Sequence, residues 1–413
     1  MGFFQDNYHE TVLEIGHHAI TDFIVSKFEE HGVVVTEGDR QLILDNIING
    51  IVEFSISVDS EQDDNIEITI TAKEENELIK KIDSILKDLL ASDSLISLAK
   101  TISVECTREL KKHWDKHEEL ENKSTNTFRK ELCTIWGEPI KYLRMMKTVF
   151  AQSCETVIND MSIAIKEGKQ KDSASLRVSY LFGARAVQIL GEIITLIRAG
   201  FAEAAFSRWR TLYEIHVIAS FIMQNGDKVA ERYLDHDVIE SYRASNDYQD
   251  CFEKLGCEPI PEEEIISTEK AMEEMIIRYG NAFKTQYGWA AEALGVKNPS
   301  FRTIETATDL NHFKAHYRLA SHGVHANPKG FLFRISQPCY TDSLIAGPSL
   351  YGLSGPISWT SVTALQLFAT LSSKWASFDS IIAVKALENL VTDISNELDK
   401  IKINIETTPS NQI

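Results

Sequence analysis

From residue 130 onward, apolar residues recur at three- and four-residue spacing along most of the chain, the period of a helix that buries one face. The pattern predicts helices over 130–167, 175–199, 201–224, 226–255, 262–283, 309–326 and 357–402. Gly200 separates two of them and Asn225-Gly226 two more, as expected where a helix closes on a left-handed residue. Short connections of this kind join antiparallel neighbours, so residues 130–405 are expected to form a helical bundle. The longest break, 329–355, contains Pro338, Gly347, Pro348, Gly352 and Gly355 and reads as a loop or short hairpin over that bundle.

The first hundred residues change period. Residues 9–31 and 38–49 read as helices, with Leu42, Leu44, Ile47 and Ile48 of the second sharing one face. "IVEFSISVD" (51–59) and "IEITITA" (66–72) then alternate apolar with polar or small residues, the mark of half-buried strands, and "DSEQDDN" between them suits a hairpin loop. Helical spacing returns over 74–90. The expectation is a small acidic α/β region over 1–105, a charged linker or helix over 106–129 with "ENKSTNTF" (121–128) as its most linker-like part, the bundle, and a tail over 406–413.

Composition adds that this is a globular chain: hydrophobic residues make up 43% and charged residues 25%. The net charge of -19 is unevenly placed. Residues 1–100 hold 21 Asp or Glu against 7 Lys or Arg, while 177–210 and 301–334 each run +3. An acidic surface repels nucleic acid except where cations gather, so these two stretches are where an RNA partner would be sought, and the acidic N-terminal region where a protein partner would be. Six cysteines without a CxxC pair suit a reducing cytoplasm better than a zinc site or a disulfide framework. "MGFFQDNYHE" lacks the basic and apolar regions of a secretory signal, and Gly2 fits a myristoylation site only loosely because Asp6 stands where Ser or Thr is preferred. The most apolar part, 178–206, is interrupted by Arg185, Glu192, Arg198 and Glu203, so no membrane association is expected.

Candidate chemistry concentrates in two helices. In "HYRLASHGVHANPKG" (316–330), projection at about 100° per residue puts Arg318, His322 and His325 on one face. Phe313, Tyr317, Ala320 and Val324 form an adjacent apolar stripe expected to face the core, and His312 and His316 lie well away. Asn327 before Pro328 should stop the helix near His325, leaving the three basic residues at a C-terminus whose carbonyls favour cations. In "FSRWRTLYEIHVIASF" (206–221), Arg210 and Glu214 form an i, i+4 pair inside an unusually apolar helix. The pair reads either as a structural ion pair or as a device by which Glu214 reaches across to orient Arg318 or a histidine. A metal site from His322, His325 and Glu214 is opposed by the fixed charge of Arg318 on the same face, so no metal and no cofactor are expected.

The spacing Arg318-x6-His325 is similar to the Arg-x(4 to 6)-His signature of the higher eukaryote and prokaryote nucleotide-binding (HEPN) ribonuclease superfamily, although Leu319 follows the arginine where those enzymes prefer a polar residue. That resemblance implies metal-independent RNA cleavage by attack of the ribose 2'-hydroxyl, with histidine as acid or base, arginine on the phosphate, and a site formed across a homodimer. It also implies a role as toxin or phage-defence effector. Residues 180–330 more broadly resemble a bacterial helical family designated domain of unknown function 5677, through Arg210 and Glu214, then Arg232 and Tyr233, then Tyr317, Arg318, Ser321 and His325. This second resemblance implies a fold and no activity. The site expected is therefore Arg318, His322 and His325, supported by Arg210, Glu214, Tyr233, Tyr317 and Ser321, in an RNA-cleaving protein; the alternative is a non-catalytic helical module in which the same residues form a buried register network.

Overall fold

The computed structural model describes residues 3–49, 72–91, 93–169, 171–325, 328–337, 344–374 and 377–407, and every regular element among them is helical. The chain divides into two units, Met1–Ser124 and Thr125–Ile413. In the first, α1 (Phe3–Glu30) packs on α2 (Glu37–Ile48) and α3 (Ala72–Ala91). Thr36 starts α2 through a capping box, its hydroxyl accepting from the Asp39 amide while the Asp39 carboxylate accepts from the Thr36 amide. Phe23, Val33 and Ile43 are buried there, and Lys27 bridges to Glu74 at 3.1 Å. The predicted strands 51–59 and 66–72 lie outside the described residues, save Ala72, which opens α3. Helix α4 (Asp93–Lys166) is continuous across 106–129, so "ENKSTNTF" is helical and the unit boundary falls inside it.

The second unit is organised around one helix. After α5 (Ala174–Arg198), capped by the Ser173 side chain on the Leu176 amide, comes α6 (Ala202–Asn225). The two are joined through Gly200, which takes φ +79 with the Phe128 ring against its Cα: a methyl group added there would lie 2.5 Å from the ring edge. The Gly200 carbonyl accepts from the Ser349 amide at 2.9 Å. Both α5 and α6 pack on α7 (Asp227–Asp235) and α15 (Ser354–Ser372), and α15 also packs on α16 (Phe378–Thr407). Among the described residues α5 is the one helix long and apolar enough to cross a bilayer, and its apolar face is directed into this bundle. On α6, Phe206, Trp209 and Tyr213 stack in sequence with centroids 5.3 and 5.6 Å apart, and Trp359 of α15 closes on the first two. The Trp209 indole donates to Thr363 at 3.0 Å, satisfying its buried N–H.

Between α7 and α15 the elements are shorter than their periodicity predicts. Residues 226–255 divide into α7, α8 (Asp237–Gln249) and α9 (Phe252–Leu255). The first break falls at His236, a buried residue whose Nε2 bonds the Phe283 and Thr285 carbonyls at 3.1 and 3.0 Å. After α10 (Glu262–Tyr279) come two single 3-10 turns, α11 (Ala291–Leu294), α12 (Phe301–Ala307), a 3-10 turn at Asn311–Phe313, and α13 (Lys314–His322). The predicted loop 329–355 holds most of α14 (Pro328–Leu332) and the start of α15, and 357–402 is covered by two helices, α15 and α16.

The core also holds one ionisable ring without a strong partner. His216 on α6 is 1% exposed; its Nε2 lies 3.5 Å from the Thr370 hydroxyl and its Nδ1 has no hydrogen-bond partner. Burial, with His312 nearby, drives its pKa down to about 3. The folded state therefore holds the neutral ring, so its contribution to stability is complete above the unfolded value near 6.5 and is lost as pH falls from there toward 3. Urea unfolding across that window is expected to show a loss of up to about 1.4 kcal/mol per pH unit from this one proton. His216→Leu should remove that part of the slope; equal slopes in both proteins would contradict the assignment.

Candidate functional site

Because α6 is covered on most of its circumference, its charged side chains must find partners close by. Arg210 Nη2 forms an ion pair with Glu214 Oε1 and donates to the Tyr317 hydroxyl, both at 3.0 Å, and the Tyr317 hydroxyl donates to the same Glu214 oxygen at 2.6 Å. The guanidinium carbon also lies 4.9 Å from the centroid of the Tyr317 ring. Glu214 thus meets α13 through Tyr317, not through Arg318 or a histidine. Arg210 and Glu214 are 21% and 30% exposed, so the triangle is half-buried, and the Arg210 Nε is buried without a hydrogen bond.

The protonation states follow from this arrangement. Burial, and then the Glu214 carboxylate, hold the Tyr317 hydroxyl well above the usual tyrosine range, with Arg210 opposing them. Burial pulls the Arg210 guanidinium down, and its bonds to Tyr317 and Glu214 more than offset that. A neutral phenol between a cation and an anion can donate to one and accept from the other, which is what Tyr317 does. Beside it, the Tyr213 hydroxyl sits 2.8 Å from the Glu305 carboxylate and 2.6 Å from the Leu310 carbonyl, and Phe301 stacks on Tyr317 at 5.0 Å. Tyr213 and Glu305, which tie α12 and α13 to α6, carry no sequence signal beyond apolar spacing and a lone carboxylate.

The other face of α13 is open. Arg318 is exposed and makes no hydrogen bond or ion pair among the described residues. His322 ends the helix and is half-buried, lining with Phe206, Ser207 and Phe333 a cleft of about 20 Å³, room for a single water. His325 is exposed in the turn that follows, where its amide still donates to the Ser321 carbonyl at 3.1 Å. That bond continues the α-helical i to i-4 pattern, so the backbone holds His325 close to its projected place. Val324, expected in the core stripe, is 50% exposed, because the helix gives way to the turn before it. Phe313 and Ala320 are buried as the projection predicts, and His316 lies against Trp359 at 4.3 Å, away from the Arg-His face.

The remaining expected residues have other partners. Ser321 donates to the Tyr317 carbonyl at 2.8 Å within its own helix. Tyr233 packs edge-on against Phe182 and Trp289 at 5.4 and 5.1 Å. Its neighbour Arg232, 3% exposed, donates to the Trp289 carbonyl and to Glu292 at 3.1 and 2.8 Å and stacks on Tyr279. In the other basic stretch Arg208 pairs with Glu192. Among the described residues no three His, Cys, Asp or Glu come together as a metal site, and the set His322, His325 and Glu214 is divided because Glu214 belongs to the Tyr317 triangle.

Residues 177–339 match the family of unknown function DUF5677. The matched segment contains Arg210, Glu214, Arg232, Tyr233, Tyr317, Arg318, Ser321, His322 and His325, so the resemblance read over 180–330 is shown, and it brings no activity with it. No curated protein and no solved structure matches the chain.

The two faces of α13 should separate on substitution. Glu214→Ala leaves Arg210 half-buried without its carboxylate and is expected to cost about 2 kcal/mol or more. Tyr317→Phe should cost about 1–2 kcal/mol for the lost hydroxyl bonds. Arg318→Ala should stay within about 0.5 kcal/mol. Urea midpoints measure all three, and a large loss in Arg318→Ala would place that residue in the register network instead.

Proposed function

We propose that this chain is a metal-independent, HEPN-like endoribonuclease that acts on RNA at the open face of α13. What supports the reading is the state of Arg318: an exposed guanidinium with no carboxylate partner among the described residues, in a chain of net charge -19. A cation kept unpaired in so acidic a protein is available to a phosphate, which a guanidinium grips through two parallel hydrogen bonds. His322 and His325 stand at the same helix end, so one imidazole can accept a proton while the other donates one.

In the reaction so envisaged one histidine accepts the proton of the ribose 2'-hydroxyl as its oxygen attacks the adjacent phosphorus. The other donates a proton to the departing 5' oxygen, leaving a 2',3'-cyclic phosphate and a 5'-hydroxyl. Arg318 neutralises the charge that builds on the non-bridging oxygens. Arg210, Glu214 and Tyr317 act as positioning residues: they fix the inner face of α13 so that its outer face is presented. That assignment takes from the non-catalytic alternative its account of the buried triangle and leaves the open face to chemistry. A toxin or phage-defence role in the bacterial cytoplasm, a homodimeric site, and a protein partner on the acidic N-terminal region all belong to the same proposal.

The test is incubation of the purified protein with labelled RNA in EDTA, beside His325→Ala, His322→Ala and Arg318→Ala. Cleavage leaving cyclic phosphate ends is expected, reduced about a hundredfold or more by loss of either histidine. Equal cleavage by parent and variants, or none by the parent, overturns the proposal.

A further inference from the structure

Three residues beyond His325 the chain re-enters helix, and α14 lies directly on the end of α13. A methyl group on Gly330 would lie 2.2 Å from the His322 carbonyl oxygen and 3.6 Å from that of His325, so the two backbones are in contact and only glycine fits between them. What this short element carries is unusual for a surface. Phe331, Leu332 and Phe333 are 66%, 87% and 54% exposed. Phe333 lines the same small cleft as His322. Downstream, the segment is fastened: the Ser336 amide and hydroxyl both donate to Glu203 at 2.9 and 2.7 Å, and Arg334 donates to the Ile345 carbonyl at 2.6 Å. The phenylalanines therefore stand on a held backbone while their rings face water.

The charge around them is equally uneven. Between Asp309 and Asp342 the sequence holds no carboxylate, although the whole chain has 61, and over that span it carries Lys314, Arg318, Lys329 and Arg334 with four histidines. Lys329, at the start of α14, is exposed. A protein partner fitted to two exposed phenylalanines would call for apolar surface alone. The one acid at this cleft, Glu203, is engaged by Ser336 and lies 3.9 Å from Arg334, so rings set in a span of cations call for a ligand with flat faces and a charged backbone, which is an unpaired nucleic-acid strand.

Resting on the reading of the Arg318 face as an RNA site, we infer that Phe331 and Phe333 form a base-stacking platform that grips unpaired nucleotides next to the phosphate held by Arg318. The platform sets the substrate class: bases in a duplex are stacked on each other and hide the faces the rings need, so single strands and loops are taken and continuous duplex is refused. It imposes little sequence preference, since every base has a face to offer.

The experiment uses the full chain and fluorescence anisotropy with three probes: a 2'-O-methyl oligoribonucleotide, which has no 2'-hydroxyl to attack, its base-free counterpart of equal phosphate number, and a duplex of half the length, so that the phosphates of its two strands together match. The parent is expected to bind the unpaired probe at least about tenfold more tightly than the other two. The doubly substituted Phe331→Ala, Phe333→Ala protein should lose that margin, Phe331→Trp, Phe333→Trp should keep it, and Arg318→Ala should weaken all three probes alike. Equal binding of the base-bearing and base-free probes by the parent, or a margin that survives the double alanine substitution, overturns the platform. Cleavage of ordinary RNA is read separately. Stacking without cleavage would leave the platform standing and remove the nuclease, and cleavage without a stacking margin would do the reverse.

Discussion

The second unit depends on α6 being buried on nearly all sides. A helix flanked by α5, α7, α12, α13 and α15 has few places for a charge, and its Arg210 and Glu214 can be accommodated only if each satisfies the other. Tyr317 completes that pair by donating to the anion and accepting from the cation, and in doing so it fixes the rotation of α13 about its own axis. Once the inner side of that helix is set, its outer side is set too. The exposure of Arg318 is thus a consequence of where Tyr317 has to be, one residue earlier.

This division of labour accounts for the two ways in which the polar residues of α13 can be read. Taken together, Arg210, Glu214, Tyr317, Arg318 and the histidines resemble a single cluster. Physically they are two systems separated by the body of a helix. One is half-buried, mutually neutralised and tied to packing through Phe301 and Tyr213. In the other, Arg318 and His325 face solvent and His322 lies half-buried in the cleft beside Glu203. A buried pair contributes specificity of register more than net stability, whereas an unpaired surface cation contributes neither and is intelligible mainly through what it binds.

Much of this was legible in the chain itself. Helical spacing marks the bundle, Gly200 and Gly226 mark real helix ends with positive φ, and the i, i+4 relation of Arg210 and Glu214 is a true ion pair. The projection that places Phe313 and Ala320 inward and Arg318 outward is local geometry, and local geometry is what a sequence encodes most directly. The partner of Glu214 was hidden because Tyr317 lies 103 residues away and its single hydroxyl looks like part of an apolar stripe. Periodicity runs through His236 without a mark because the helix is interrupted by what that side chain binds, two carbonyls nearly fifty residues on. Val324 stands outside the core because projection along a regular helix takes no account of where the helix stops. Phe331 and Phe333 carry no sequence signal of their own within a stretch whose prolines and glycines read only as a break.

The junction between α5 and α6 constrains how such a sequence can drift. Gly200 lies under the Phe128 ring and holds Ser349 by its carbonyl, so the position joins three distant parts of the chain at a point with no spare volume. A side chain can appear at 200 only after the ring at 128 has been replaced by something small, and even then it must tolerate a left-handed backbone. Two positions seventy-two apart are thereby coupled in a fixed order of substitution, a path open in one direction and closed in the other.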